Sequence, residues 1–188
     1  MLLDQIEKRW SPRAFSATEV SKSVLENIFL AASRAPSSFN EQPWRFLIGP
    51  KNQDNNWQKI FDSLVPDNQS WNENTPVLAV VVAKATFTKN DKPNPHAWYD
   101  CGQALGFLAL QAIQEGLYLH QMAGFDASKL IDAFKIDSDH HPVAVFSIGY
   151  MGNKETLSEK LQETEFNKKD RKPITQTVFS SWGESFKF

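Results

Sequence analysis

The run Pro76-Val77-Leu78-Ala79-Val80-Val81-Val82 is the stretch that decides the fold. After the proline, its apolar residues are continuous and do not alternate with polar ones. A strand with that pattern is buried on both of its faces. The run therefore predicts a central sheet with helices packed above and below it.

Shorter apolar patterns place the other elements around this strand. Strands are predicted at 45–48, 117–122 and 143–148, and helices at 56–64, 96–115 and 127–134. Two earlier helices are expected, one carrying Leu2, Leu3 and Ile6, and one that opens near residues 16–18 at N-cap hydroxyls and ends at Pro36. The 84–95 stretch reads as a surface loop. Strands flanked by helices predict a three-layer α+β domain.

Two features of the chain point to a partner subunit. Gly102 and Gly106 lie on or near one face of the predicted helix 96–115, which permits close helix packing in the centre of the fold or in a dimer interface. The segment 152–188 is charged and then aromatic, and it is too long and too aromatic to be left in solvent. We therefore expect one domain over residues 1–188, with 152–188 as an extended C-terminal arm that packs on the partner.

Composition excludes several classes of function. The chain has 188 residues, a net charge of −2 and no basic block, which gives no electrostatic case for nucleic acid binding. The longest apolar run, residues 77–83, is far shorter than the roughly 20 residues that span a bilayer. One cysteine, Cys101, and the lack of a signal-like amino terminus predict a cytoplasmic protein without an internal disulfide or a membrane contact.

Two polar loops contain the residues that point to a ligand site. The first is Arg9-Trp10-Ser11-Pro12-Arg13-Ala14-Phe15, whose arginine forks suit phosphate or carbonyl oxygens. The second is Ala35-Pro36-Ser37-Ser38-Phe39-Asn40-Glu41-Gln42-Pro43-Trp44, where hydroxyls and amides between two prolines suit a polar ligand. Taken singly, these loops also fit a solvated helix connection and a capped turn.

In this order and spacing, the two loops resemble the FMN-dependent nitroreductase family. The resemblance continues at Trp71-Asn72-Glu73, at residues 122–126 and at Lys169-Asp170-Arg171-Lys172-Pro173, so it covers nearly the whole chain. It implies a three-layer fold with a mainly antiparallel central sheet, in an intertwined homodimer that binds FMN at two interface sites. It also implies a ping-pong mechanism, in which reducing equivalents pass from NADH or NADPH to a small-molecule acceptor such as a nitroaromatic or a quinone.

The resemblance assigns roles to individual residues. Its implied cofactor-binding set is Arg9, Trp10, Ser11, Arg13, Pro36, Ser37, Ser38, Asn40, Asn72, Met122, Ala123, Gly124, Lys169 and Arg171. Within this set, Arg9 and Ser11 would hold the phosphate or ribityl end, and Lys169 and Arg171 would close over the phosphate. Lys169 and Arg171 also fit a solvated charge run.

The other implied contacts are to the ring. Arg13 would face the N1–C2 edge and tune the ring electrostatically, and Asn72 would meet the pyrimidine edge with Trp71 along the open face. Residues 36–40 would reach the flavin from the opposite subunit. The turn 122–124 would lie over the central ring, although a strand-end turn that needs its glycine fits equally. Some relatives have a lysine shortly after the asparagine, where this chain has Asn74 and Thr75.

No side chain is expected to act as a nucleophile or general acid, because a flavin carries the redox chemistry itself. His140-His141 has no cysteine or carboxylate at a zinc-like spacing, so no metal site is predicted, and His96 and His120 are isolated. Two alternatives remain open. One is a flavin storage or delivery protein with little turnover, and the other is a related flavoenzyme for an enal, a halogenated aromatic or flavin itself.

Overall fold

The computed structural model describes residues 1–167 and 170–188. In that part of the chain the helices are α1 (Asp4–Lys8), α2 (Lys22–Ala32), α3 (Asn56–Ser63), α4 (Pro66–Asn72), α5 (Ala97–Gln114), α6 (Ala127–Phe134) and α7 (Glu159–Glu165). The strands are β1 (Trp44–Pro50), β2 (Val77–Lys84), β3 (Tyr118–Met122), β4 (His140–Gly149), β5 (Phe179–Ser181) and β6 (Glu184–Ser185).

The first four strands form an antiparallel sheet in the order β1-β2-β4-β3. Strand β2 pairs with a strand on each side, so that Val80 lies opposite Leu47 in β1 and Val145 in β4. Every residue from 77 to 83 is buried. The continuous apolar run is therefore the central strand that its sequence predicts.

Side chains of β2 point alternately into two cores. Ala79 and Val81 pack with buried residues of α2 and α5 on one face of the sheet. Leu78 and Val80 pack with buried residues of α3 and α6 on the other face. The helix–sheet–helix layering confirms the three-layer α+β prediction with a mainly antiparallel sheet.

The start of α2 differs from the prediction. The helix begins at Lys22, with the hydroxyl of Ser21 accepting a hydrogen bond from the Val24 backbone N–H. Ser16 is a capping residue type too, but its backbone N–H donates to the Tyr150 carbonyl at 3.0 Å. That long-range bond keeps the chain extended, so residues 16–18 precede the helix and do not begin it.

Two short helices were not expected from the sequence. Helix α4 begins with Pro66 at its first turn, a position where proline is favoured because the missing N–H has no helical partner there. Helix α7 lies inside the segment that was predicted as an extended arm. Beyond it, residues 170–188 are exposed along their whole length and contain only a 3₁₀ turn and the β5–β6 hairpin.

The glycines of α5 do not serve packing within the protomer. A Cβ atom added at Gly102 or Gly106 would meet nothing within 4 Å. Close helix approach in the centre of the fold is therefore excluded as their role, which leaves the dimer interface as the open alternative. No helix in residues 1–167 and 170–188 is both long enough and apolar enough to cross a membrane.

Candidate functional site

A cleft of about 960 Å³ lies between the loop of residues 9–15, which we call the arginine loop, and the segment that follows α7. It brings together five of the residues that the sequence singles out. These are Arg9, Trp10, Ser11, Arg13 and Arg171. The cleft is thus built from residues more than a hundred positions apart, and its size falls within the roughly 300–1,000 Å³ typical of ligand sites.

The guanidinium groups of Arg9 and Arg171 are close enough to interact. Burial, and next the positive charge of Arg171, hold the pKa of Arg9 below its ordinary value. Two like charges in one cleft repel each other, and a doubly charged anion that binds both removes that repulsion. Arginine forks also match the geometry of phosphate oxygens. This end of the cleft is therefore suited to a phosphate group.

His120 holds the arginine loop from the sheet side. It lies in β3, its Nδ1–H donates to the Pro12 carbonyl at 2.8 Å, and its ring packs on that of Trp71. The pKa of His120 is lowered to about 4, chiefly by burial and also by the nearby charge of Arg13, against the raising effect of its hydrogen bond to the Pro12 carbonyl. His120 is therefore neutral at pH 7 and acts as a hydrogen-bond anchor.

This buried imidazole predicts a pH dependence of stability. A histidine whose pKa is about 4 when folded and 6.5 when unfolded binds its proton more readily in the unfolded chain. The free energy of unfolding should thus fall as the pH drops from about 6.5 to about 4, by on the order of 3 kcal/mol. Urea unfolding of the wild type and of His120→Asn across this range checks the assignment, which fails if both proteins show the same slope.

Glu165 holds the backbone of the same loop. It is the last residue of α7 and only 1% exposed, and it lines the cleft. One carboxylate oxygen accepts 2.7 Å hydrogen bonds from the backbone N–H groups of both Arg13 and Ala14. Sequence reasoning missed this residue, and no local pattern could have revealed it, because its two bonds join positions 151 and 152 residues apart.

The loop 36–40 lies elsewhere in the protomer, and none of its residues is among those that line the cleft. The carboxylate of Asp100, in α5, accepts a hydrogen bond from the Ser38 backbone N–H at 3.0 Å. Phe39, Asn40 and Gln42 all have positive φ angles, of 54°, 55° and 49°. Such conformations cost non-glycine residues about 1 kcal/mol or more and cluster at functional sites. The loop is therefore held in a defined conformation, and the Phe39 side chain on it is 92% exposed.

The Trp71-Asn72 pair is not at a surface. Asn72 is fully buried, donates from its amide to the Asn68 carbonyl and to Met122 Sδ, and accepts from Thr75 and Ser147 hydroxyls. Trp71 is only 6% exposed. In this arrangement the Asn72 amide has no capacity left for a flavin edge, and Trp71 does not line an open face. Both residues anchor α4 to the sheet.

The turn 122–124 begins at the last residue of β3, two residues after the cleft-lining His120. The Met122 side chain is in the core, so the turn can offer a ligand mainly its backbone. A Cβ at Gly124 would lie 2.7 Å from Asn68 Nδ2 and 2.9 Å from Val65 Cγ2, so a side chain here would have to displace Asn68 of α4 and Val65 just before it. Asn68 is half-buried and donates to the Gly124 carbonyl at 3.0 Å, which makes it a second site-adjacent residue that sequence reasoning missed.

Lys169, the other basic residue expected at the phosphate, lies outside the described residues. Cys101 is a buried residue of α5, and burial raises the pKa of its thiol to about 12. A thiol with that pKa is not a nucleophile at neutral pH.

Comparisons with known proteins identify the family of the chain. The sequence profile described as "Nitroreductase family" matches residues 6–150. The chain belongs to the nitroreductase family. The match includes the arginine loop, the loop 36–40 and the turn 122–124, and it confirms the resemblance that these segments carry.

One relative of known structure extends the match to nearly the whole chain. A solved structure described as "The crystal structure of the oxidoreductase containing FMN" is 30% identical, covers 99% of this chain and 94% of its own, and superposes with a TM-score of 0.92. Iodotyrosine deiodinase of Haliscomenobacter hydrossis is 25% identical over 173 residues, 77% of either chain. A Streptomyces coelicolor protein provisionally named NADH dehydrogenase/NAD(P)H nitroreductase is 25% identical over 156 residues, 73% of this nitroreductase-family chain and 76% of its own.

Proposed function

We propose that this nitroreductase-family chain is an FMN-dependent oxidoreductase that passes electrons from NADH or NADPH to electron-poor acceptors such as nitroaromatics or quinones. The observation that carries the proposal is the cleft in which the guanidinium groups of Arg9 and Arg171 lie close enough to repel each other. The solved relative described as an oxidoreductase containing FMN supports the same cofactor.

The residues present fit FMN. Arg9 and Arg171 would hold the phosphate, and Ser11 would offer a hydroxyl to the polyol. Arg13 would place a positive charge beside the ring, while His120 and Glu165 fix the backbone that carries these groups. When bound, FMN supplies two-electron redox chemistry that amino-acid side chains cannot perform, and the chain supplies position, charge and access.

Arg13 should act on the ring electronically. Because its guanidinium stabilises the negative charge that the ring gains on reduction, Arg13→Gln is expected to lower the midpoint potential by about 30 mV for each ~1.4 kcal/mol of lost stabilisation. Arg13→Lys should shift the potential less, because the charge is retained. Spectroelectrochemistry measures both shifts. Loss of FMN at an unchanged potential would instead make Arg13 a phosphate ligand.

A homodimer would complete the site. We propose that loop 36–40 of one protomer enters the cleft of the other, where Pro36, Ser37, Ser38 and Asn40 would contact the flavin. Helix α5 supports this arrangement, because Trp98 and Tyr99 are 56% and 70% exposed on the side that carries its two open glycines, and Phe107, the residue after Gly106, is 43% exposed.

The arm 152–188 would pack on the partner through residues 170–188, because its earlier part, with Gly152 and α7, packs within its own protomer. Truncation before Phe179 should therefore lower the melting temperature and the flavin occupancy together. Trp182→Ala makes a milder test, since a side chain 97% exposed in the protomer contributes little to its own fold. Light scattering and melting curves measure the effects, with Lys187→Ala as the control from the same arm. A folded, FMN-loaded monomer at micromolar concentration would refute the dimer.

Turnover decides between the proposal and its alternatives. Anaerobic mixing with NADH or NADPH should bleach the flavin, and later addition of a nitroaromatic or quinone should restore its absorbance, as a ping-pong enzyme requires. If no added acceptor reoxidises the bleached flavin faster than oxygen from air does, a storage or delivery protein is favoured. The similarity to an iodotyrosine deiodinase makes halogenated tyrosines the first other substrates to include. The cytoplasmic location stays a prediction.

A further inference from the structure

An aromatic stack joins the arginine loop to the chain that follows α7. Phe166, the residue after the helix, lies with its ring against the ring of Trp10. The ring centroids are 5.8 Å apart, and the ring planes differ by 17°. Trp10 lines the cleft, whereas Phe166 is 56% exposed and is not a core residue. The stack therefore contributes little to the core and lies instead at the edge of the candidate site.

Contacts between this part of the chain and the arginine loop follow the loop in reverse order. Glu165 accepts a hydrogen bond from the Arg13 backbone N–H, and the residue after it stacks on Trp10. Five residues beyond that ring, Arg171 is close enough to Arg9 for their charges to interact. Five residues of fully extended chain reach at most about 18 Å. The stack therefore limits how far Arg171 can lie from the arginine loop.

The two arginines need such a tether as long as no anion lies between them. Their positive charges repel each other, which favours conformations with Arg171 away from Arg9. An offset stack of two aromatic rings at this centroid distance is a favourable contact, so it opposes that repulsion. Unlike a carboxylate placed between the arginines, two apolar rings leave both guanidinium groups available to a phosphate.

Building on the proposed function, we infer that Phe166 is a positioning residue for phosphate binding, which holds Arg171 beside Arg9 by stacking on Trp10. The stack raises the fraction of molecules in which both arginines are in place. When that fraction falls, the apparent affinity for a ligand that needs both arginines falls in proportion. Only a flavin that carries the phosphate gains from the stack, so Phe166 increases the discrimination between FMN and riboflavin.

Phe166→Ala removes the stack and leaves both arginines in the chain. In fluorescence titrations we expect FMN binding to weaken about three- to tenfold and riboflavin binding to stay unchanged. Phe166→Tyr keeps a ring that can stack, so it should bind FMN as the wild type does. Ile131→Ala is the control, because Ile131 is an exposed apolar residue of α6 that is not among those lining the cleft. It should change neither affinity.

The double variant Phe166→Ala/Arg171→Ala tests whether the ring acts through Arg171. Once Arg171 is absent, loss of the ring should cause no further loss of FMN affinity beyond that of Arg171→Ala alone. A further loss as large as in the wild-type background would overturn the inference, because the ring would then act on the flavin by another route. Equal weakening of FMN and riboflavin binding by Phe166→Ala would overturn it too, and so would unchanged FMN binding.

Folding and the proposed function are tested separately. Melting curves of the flavin-free proteins should differ little between the wild type and Phe166→Ala, because the ring is 56% exposed. If that variant does not fold, Phe166→Leu keeps an apolar side chain without a flat ring and should show the same loss of discrimination between FMN and riboflavin. Wild-type discrimination in Phe166→Leu would then overturn the inference. A wild type that binds neither flavin would instead refute the proposed function, and the inference with it.

Discussion

Replacing Arg171 with alanine is expected to weaken FMN binding by about 1.5–3 kcal/mol, roughly 10- to 100-fold. The substitution removes a charge-assisted contact to the phosphate while Arg9 remains on the other side of it. In the FMN-free protein the same change relieves the repulsion that lowers the pKa of Arg9. Affinity should therefore fall without a loss of thermal stability, as measured by flavin fluorescence titration and melting curves.

Riboflavin and Lys172→Ala provide the controls for this experiment. Riboflavin lacks the phosphate, so the wild type and Arg171→Ala should bind it equally. Lys172 is the next residue along, is exposed, and is not among the residues that line the cleft. Its removal should leave FMN binding nearly unchanged. An Arg171→Ala protein with wild-type affinity for FMN would remove Arg171 from the phosphate site.

Gly152→Ala is expected to lower the free energy of unfolding by about 3 kcal/mol or more. The new methyl group would lie 2.4 Å from the Phe15 carbonyl carbon and 2.7 Å from the Ser16 backbone nitrogen. Backbone atoms cannot rotate away as a side chain can, so this junction must open. The junction also carries the 2.8 Å bond from the Gly152 N–H to the Ala14 carbonyl, which ties down the arginine loop.

The loss of stability should therefore be accompanied by weaker FMN binding, even though Gly152 is not among the residues that line the cleft. Urea unfolding and flavin titration on the same samples measure the two effects. Lys154→Ala, an exposed position two residues further on, is the control and should change neither. A Gly152→Ala protein as stable as the wild type would contradict the prediction, because it would show that residue 152 can move away from residues 15 and 16 at little cost in free energy.

The sequence predicts best what depends on local pattern. Strand β2 and helices α5 and α6 follow from continuous or periodic apolar residues, and their bounds agree with the prediction to within two residues. Helix α4 is short and mostly polar, so it gave no apolar periodicity, and only Pro66 marked its start. The Ser16 and Ser21 hydroxyls are equivalent as local caps, and a distant bond to Tyr150 decides between them.

The same distinction between local pattern and distant contacts applies to the residues of the site. Arginine and hydroxyl residues in recognisable loops predict the cleft residues Arg9, Ser11, Arg13 and Arg171. Residues that act through distant backbone atoms cannot be found by spacing, and His120 bonds to a carbonyl 108 residues away. Asn72 is the opposite case. Its residue type suits a flavin edge, yet its amide is used entirely inside the fold.

The central claim is that the arginine cleft holds FMN, and the flavin content of the purified protein tests it most directly. We predict a yellow protein that releases one FMN per protomer on denaturation, identified by chromatography against FMN, FAD and riboflavin. Protein purified without flavin should take up added FMN to the same stoichiometry. A colourless protein that takes up no FMN at micromolar concentration would contradict the account.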